Sequence, residues 1–304
     1  QGIPPPAGAA RGRPSPSAIT RASVSGVALI DLHTHTTASD GRCAPEELVA
    51  RASRNGVTVL GLTDHDTIAG CDAAGAACAG LGIRFIPGIE VTAVADERDI
   101  HVLAYFFDPA SPVLTAFLVS QRQSRVERVR EMFSRLASHG IHLDVDRILA
   151  PGLDDASRAV GRPWIARAMV DAGYVSTVND AFAKWLGRGC PAFVPRTGAS
   201  PESVIATIHE CGGLASLAHP VLVEHDEWIP RYAEAGLDAL EAFHSDHTPQ
   251  DTARYLVMAR ELGLRVTGGS DFHGDNHHGS FGPGSVTLPQ KYWESLIADR
   301  SSSH

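Results

Sequence analysis

Short apolar runs alternate with helical stretches along most of this chain, and the alternation breaks once, in the middle. Residues 27–32 read as a buried strand, from their nearly unbroken apolar character. Pro45-Glu46-Glu47 opens a helix that runs to about Arg54. Proline suits a first turn because its missing N–H would have no partner there. Asn55-Gly56 ends that helix. A strand at 58–62 and an Ala-rich helix at 67–81 follow, then extended runs at 83–86 and 89–94 and a strand at 101–107. The acidic loop 95–100 between the last two predicts a hairpin. Strand, helix, strand in this order is the alternation of a parallel α/β fold.

From Asp108 to about Arg196 the pattern changes. Residues 112–139 form one long helical stretch rich in Arg and Glu, and 165–172 and 178–186 read as two shorter helices joined through Pro and Gly. The arginines between Gln121 and Arg130 read as a solvated helix face. After this segment the alternation resumes, with helices at 201–211, 227–235, 250–262 and 292–298 and strands at 214–218, 237–243 and 265–267. The expected organisation is a loose tail at 1–25, a barrel-forming part at 26–107, a helical insertion at 108–196 that covers the site, and a second barrel-forming part at 197–300.

The strand ends carry the chemistry. Side chains two apart on an extended chain point the same way, so Asp31, His33 and His35 share one side as the first strand runs out. Paired imidazoles are poor core material and good metal ligands. His65, Glu90, His219, His244, Asp271 and His273 also fall at or just after the ends of apolar runs, and Asp40 follows closely behind the first pair. In a barrel, such ends gather on one face. His101 begins its strand instead, and an antiparallel hairpin would return it to the same rim. Asp64 and Asp66 flank His65 and can accept a ring N–H. Asp66 and His244 are the candidates for a part in the reaction itself, His244 by holding phosphate or protonating a leaving oxygen. His247, His277 and His278 read as solvated loop residues.

Composition narrows the partners. The chain has 304 residues, 43% hydrophobic and 20% charged, with a formal net charge of -9. That balance argues against duplex DNA, which would want a basic face, but not against a small anionic substrate drawn to bound divalent ions. Cys43, Cys71, Cys78, Cys190 and Cys211 make no Cys-X-X-Cys pair, so reduced thiols and a cytoplasmic protein are expected. No apolar stretch is long enough to span a bilayer. The oligomeric state is not legible.

His33-Thr34-His35, Thr63-Asp64-His65-Asp66, Gly88-Ile89-Glu90, His101, His219-Pro220 and Ser270-Asp271-Phe272-His273 resemble the ordered motifs of the PHP (polymerase and histidinol phosphatase) family over residues 27–289. The resemblance is closest to its stand-alone branch, which contains nucleoside 3',5'-bisphosphate phosphatases and a 5'-to-3' exoribonuclease of short RNA. It implies an α/β fold, a distorted (β/α)7 barrel with an inserted helical lid, and two to three divalent ions. By motif, His33, His35 and Asp271 would hold one ion, Asp40, His65 and His273 a second, and His101 and His219 a third, with Glu90 bridging the first and third. Six imidazoles and three carboxylates suit Mn, Fe or Zn better than the oxygen-seeking Mg or Ca. The surplus positive charge would attract phosphate and lower the pKa of a bridging water enough for it to attack phosphorus.

The insertion resembles the family's basic lid. Arg162, Arg167 and Arg188 are its candidate substrate contacts, and Trp164 or Trp185 could stack a base. Where the family commonly has Lys, this chain has Cys190. The expected partner is a small phosphorylated nucleotide or a short single-stranded oligonucleotide. The competing readings are a histidinol-phosphate phosphatase, an amidohydrolase acting on C–N bonds, and a non-catalytic metal-binding module.

Overall fold

A computed structural model of the chain describes residues 28–154, 160–274 and 281–298; the expected N-terminal tail and His277 and His278 lie outside them. Every apolar run expected as a strand pairs with its neighbours in sequence. The strands are β1 (Leu29–Asp31), β2 (Val57–Leu62), β3 (Arg84–Ala95), β4 (Arg98–Tyr105), β5 (Leu214–Leu217), β6 (Ala239–Phe243) and β7 (Arg265–Gly268), in one seven-stranded sheet of that order. All pairs are parallel except those of β4, which runs antiparallel to β3 and to β5.

The two edges of this sheet meet. Leu32 N–H donates to the Gly268 carbonyl (3.2 Å), Asp271 N–H to that of His33 (2.8 Å) and His35 N–H to that of Phe272 (2.9 Å). The approach is close at Gly269, where a Cβ would stand 2.3 Å from the His33 nitrogen, so only glycine fits. The segments just past β1 and β7 thus run side by side, and both carry expected metal ligands.

The two extended runs expected at 83–86 and 89–94 are one strand. Residues 84–87 of β3 pair with β2, and from Gly88 onward the strand pairs with β4. Pro87 and Gly88 stand at that handover, which is why the run looks broken in sequence. The β3–β4 hairpin closes through Asp96-Glu97, with φ of 47° and 60°. Both central residues are left-handed, as a two-residue turn between right-twisted strands requires. The hairpin sets His101 opposite Thr92.

The helices are α1 (Pro45–Arg54), α2 (Cys71–Leu81), α3 (Pro112–Ser138), α4 (Val145–Asp154), α5 (Arg162–Asp171), α6 (Val178–Ala181), α7 (Pro201–Glu210), α8 (Pro220–Val223), α9 (Ile229–Glu234), α10 (Pro249–Glu261) and α11 (Gln290–Ile297), with a π-helical turn at Phe182–Leu186 and a 3-10 turn at Asp226–Trp228. Helix α1 buries Leu48, Val49 and Ala52 on one face, with Glu46 and Glu47 in its first turn and Arg51 and Arg54 in its last, the arrangement its dipole favours. Helix α4 was not expected, because Pro151-Gly152 reads as a breaker; the helix runs through it on the strength of Ile148 and Leu149, which bury against the other covering helices.

Two apolar clusters meet on α3. Its first turns, with Leu114 and Phe117, pack against the strands, while Val129, Met132, Phe133 and Leu136 pack with Leu149, Ile165, Met169 and Leu186. The covering helices therefore have an apolar core of their own. No helix among the described residues is long and apolar enough to cross a membrane.

Candidate metal centre

Strand alternation decides what the end of β1 presents. Thr34 turns outward and donates to the Gly61 carbonyl (2.6 Å), while His33 and His35 turn in and bring their Nε2 atoms to 3.1 Å of each other. Glu90 Oε2 lies 3.3 Å from His33 Nε2, 3.1 Å from His35 Nε2 and 3.1 Å from His65 Nδ1. Glu90 Oε1 lies 2.8 Å from His101 Nδ1 and 2.9 Å from His219 Nε2. Asp271 Oδ1 is 3.2 Å from His33 Nε2 and 3.1 Å from His35 Nε2. Asp40 faces His273 Nε2 at 3.1 Å and His65 Nε2 at 3.8 Å. All nine expected ligands are thus brought together around one carboxylate, though they come from seven separate places in the chain.

The donor set fits divalent cations. His33, His35, Glu90 and Asp271 are buried, and five of the six separations between their ligand atoms are 3.1–3.3 Å. A tetrahedron of that edge has its centre about 2 Å from each corner, the length of a metal–nitrogen or metal–oxygen bond. A second group joins His35, Asp40, His65 and His273, and a third joins His65, Glu90 and His101. Several ring and carboxylate atoms of the expected ligands, among them His35 Nδ1, His65 Nδ1, His219 Nδ1 and Asp271 Oδ1, are buried with no hydrogen bond. Buried polar atoms are rarely left so without a reason.

Protons balance the charge when no metal is bound. Burial opposes a charge on His33, but Glu241, Asp271 and Glu90 outweigh it and lift that imidazole well above its usual value. His35 is raised to about 10 in the same way, burial being overcome by Asp271 and Glu90. His65 goes the other way, to about 3, because burial and the neighbouring rings of His35 and His101 prevail over Glu90 and Asp40. Glu90 and Asp271 are held well below the carboxylate range, burial being outweighed by the surrounding histidines.

A layer beneath the ligands fixes them, and most of it was not singled out from sequence. Glu241, fully buried on β6, places Oε1 at 3.0 Å from His33 Nδ1 and accepts the His219 N–H at Oε2 (2.7 Å). It thereby leaves His33 Nε2 to face the site and holds His219, whose φ is 25°. The sequence signal was a lone acid inside the apolar run of β6. Asp64 accepts from Thr36 N–H (2.8 Å), Thr36 Oγ1 (2.6 Å) and Ser39 Oγ (2.5 Å), anchoring the loop that carries Asp40. Gly41 lets that loop pass the His35 backbone, where a Cβ would stand 2.6 Å from the carbonyl. Asp31 does not join the ligands. It accepts from Ser270 N–H (2.9 Å), Ser270 Oγ (2.7 Å) and Gly284 N–H (2.7 Å), tying β1 to the segment that presents Asp271.

Asp66 is tied to β3 and to two arginines. Oδ1 accepts the Thr92 N–H (2.8 Å), and Oδ2 accepts from Arg125 with Arg196 at 4.0 Å. Burial is outweighed by the two arginines, so its carboxyl stays below the usual range and ionised, unsuited to giving up a proton. His244 is buried; its Nδ1 accepts the Asp246 N–H (3.1 Å) and its Nε2 lies 3.3 Å from Asp271 Oδ2.

Arg122, Arg125 and Arg128 of α3 turn inward, while Arg130 is exposed as expected. Arg125 reaches Asp66 and Thr92, and Arg128 Nε donates to the Val194 carbonyl (2.8 Å). Arg162 lies 3.6 Å and Arg196 3.4 Å from Asp99, two residues before His101. Arg188 donates to the Glu97 carbonyl of the hairpin turn (2.7 Å). Arg98, Arg128, Arg162 and Arg188 line a cavity of about 200 Å³ with Glu97 and Asp99. Burial, with crowding by Arg125, lowers Arg196 to about 9, and burial, with crowding by Arg162, lowers Arg128 to about 10, as expected where positive charge is in excess. Arg167 stands elsewhere, beside Trp164 and Asp40 in a second cavity. Cys190 turns its thiol to the Ala183 carbonyl (3.2 Å), inside the covering helices.

A PHP domain profile matches residues 31–153. A 5'-3' exoribonuclease of Haemophilus influenzae is 39% identical over 248 residues, covering 80% of this chain and 89% of the relative. A 3',5'-nucleoside bisphosphate phosphatase of Chromobacterium violaceum is 35% identical over 260 residues, covering 83% of this chain and 90% of the relative. A solved structure from Bifidobacterium adolescentis, provisionally classed as a metal-dependent phosphoesterase, superposes with a TM-score of 0.78 at 32% identity, covering 88% of this chain and 95% of that one.

Proposed function

The chain belongs to the PHP domain family, and on that premise we propose that it cleaves the 3'-phosphate ester of 5'-phosphorylated nucleotides. The substrate is a nucleoside 3',5'-bisphosphate or, by the same bond cleavage, a short 5'-phosphorylated oligonucleotide shortened one nucleotide at a time. The protein is a hydrolase of the metal-dependent phosphoesterase class. The observation that carries the reading is Glu90, whose two oxygens face five imidazoles at 2.8–3.3 Å. A shared set of cations is the arrangement that so many convergent donors in a buried place support best.

His33, His35 and Asp271 would hold one ion, Asp40, His65 and His273 a second, and His101 with His219 a third, Glu90 serving the first and third. Divalent ions held there supply Lewis acidity toward phosphate oxygens and water. The chain's own residues do the rest. Glu241 and Asp64 keep the ligands in place. Four arginines against two carboxylates make the cavity beside Asp99 a seat for the 5'-phosphate, and guanidinium pairs phosphate in the forked geometry it prefers. His244 steadies Asp271 and is close enough to the ligands to donate to the departing 3'-oxygen. This arginine cluster also favours a phosphorylated nucleotide over histidinol phosphate or a C–N substrate.

The test is phosphate release with added Mn²⁺ from a nucleoside 3',5'-bisphosphate and from histidinol phosphate. The bisphosphate is expected to have the higher kcat/KM. A preference for histidinol phosphate would overturn the substrate class, and metal-independent turnover would overturn the reaction.

A further inference from the structure

Two cavities flank the metal rim, and they differ in chemistry. On the His101 side lies the arginine-lined cavity beside Asp99. On the Asp40 side lies a cavity of about 310 Å³ between residues 37–41 and helix α5, lined by Ser39, Asp40, Pro163, Trp164, Arg167 and Asp171 among others. The rim joins them: His65 lies with its ring 4.9 Å from His101 on one side and 5.9 Å from His273, the partner of Asp40, on the other. Consecutive residues of α5 serve both, Arg162 in the first and Pro163-Trp164 in the second. A substrate that reached both cavities would pass beside the first turn of α5 and across the rim.

We propose that the cavity beside Asp40 takes the second nucleoside of a 5'-phosphorylated oligonucleotide, the one esterified through its 5'-oxygen to the phosphate under attack. This deepens the function proposed above and rests on it. Water adds its oxygen to phosphorus, the bond from phosphorus to the 3'-oxygen of the first nucleoside breaks, and that oxygen leaves with a proton. The first nucleotide departs from the arginine side. The second keeps the phosphate, now its own 5'-phosphate. With a mononucleotide bisphosphate the same bond breaks and this cavity has nothing to hold.

The lining suits a nucleoside and not another phosphate. Beside the expected metal ligand Asp40, its charged groups are Asp171 and Arg167, one acid and one base, unlike the arginine cavity. A half-buried indole forms one wall, and an aromatic face binds a base regardless of its identity. The volume is that of a small-molecule site. Both indoles of the covering helices pack against their apolar cluster, but Trp164 also lines this cavity, while Trp185 sits against His139 and is not in its lining.

The experiment compares three substrates in Mn²⁺: a 5'-phosphorylated dinucleotide, the nucleoside 3',5'-bisphosphate, and the methyl ester of the bisphosphate at its 3'-phosphate. In the unaltered protein the dinucleotide is expected to have a KM about tenfold below that of the methyl ester, from one stacked base. In Trp164→Ala the ratio of kcat/KM for dinucleotide over bisphosphate is expected to fall about tenfold, and Trp164→Phe should recover most of it. Equal KM for dinucleotide and methyl ester, or a ratio that Trp164→Ala leaves unchanged, would overturn the subsite while leaving the phosphoesterase intact. Turnover of none of the three by the unaltered protein would overturn the function and the subsite together.

Discussion

The barrel rim and the helices that cover it spend the same residue types, charged and aromatic, in opposite ways. On the rim several donors are held from behind: His33 by Glu241, the Asp40 loop by Asp64, and the Asp271 segment by Asp31 through Ser270. In the covering helices the arginines share their acids. Asp66 serves Arg125 and Arg196, and Asp99 serves Arg162 and Arg196. The first arrangement fixes positions to a fraction of an ångström, as metal ligation requires. The second fixes a surplus of charge and leaves the partners exchangeable, as suits a group that must accept and release an anion. Substitutions should therefore act in an all-or-none way on the rim and by degrees in the cover.

The largest effect is expected from His35→Ala, which removes a ligand common to two of the donor groups. Turnover of bisphosphate and oligonucleotide should both fall to background, read as phosphate or nucleotide release. Next is Glu241→Gln, which touches no substrate. It should lower metal affinity by about 10–100-fold, the usual cost of a lost outer partner, measured by competition with a chelating dye. Retained affinity would make the rim no more sensitive than the cover. Arg162→Ala should raise KM for the bisphosphate about tenfold, the worth of a charged hydrogen bond, with the metal content per chain unchanged. Loss of metal in that variant would erase the distinction between the two regions.

A smaller and purely thermodynamic expectation comes from protonation. His33 and His35 carry raised values in the metal-free protein, His35 at about 10, because buried carboxylates surround them. Ligation needs both rings neutral, so loading the one ion they would share should release about two protons. Apparent affinity should accordingly rise with pH up to about 10, the His35 value, as the competing protons are removed. Titration of metal into weakly buffered protein reads the release directly. The smallest effect is expected from Arg188→Ala, which lines the arginine cavity but spends a guanidinium nitrogen on the Glu97 carbonyl; KM should rise by no more than about threefold.

The two regions also differed in how far the sequence revealed them. The rim was legible because its chemistry is scarce: imidazoles and carboxylates at the ends of apolar runs have few other uses, and parallel topology gathers those ends. Even His101, at the wrong end of its strand, followed from the hairpin. The supporting layer was less visible, since Glu241 and Asp64 have the same letters as any strand-end acid and differ only in what lies opposite. The cover misled. Arg125 and Arg128 sit at a spacing that fits a solvated helix face as well as one packed on Asp66 and Val194, and only the docking of α3 decides. Asp66, expected in the reaction, is also paired with two arginines from distant parts of the chain, which its place beside His65 did not reveal.

The central claim is that Glu90 organises one shared metal cluster that does the chemistry. Its most direct test is to count bound Mn²⁺ per chain by elemental analysis in the unaltered protein and in Glu90→Gln, with release of phosphate from a nucleoside 3',5'-bisphosphate followed on the same samples. The account expects two to three ions in the unaltered protein, fewer in the variant, and turnover lost with them. A variant that keeps its full complement of metal and its turnover would contradict it.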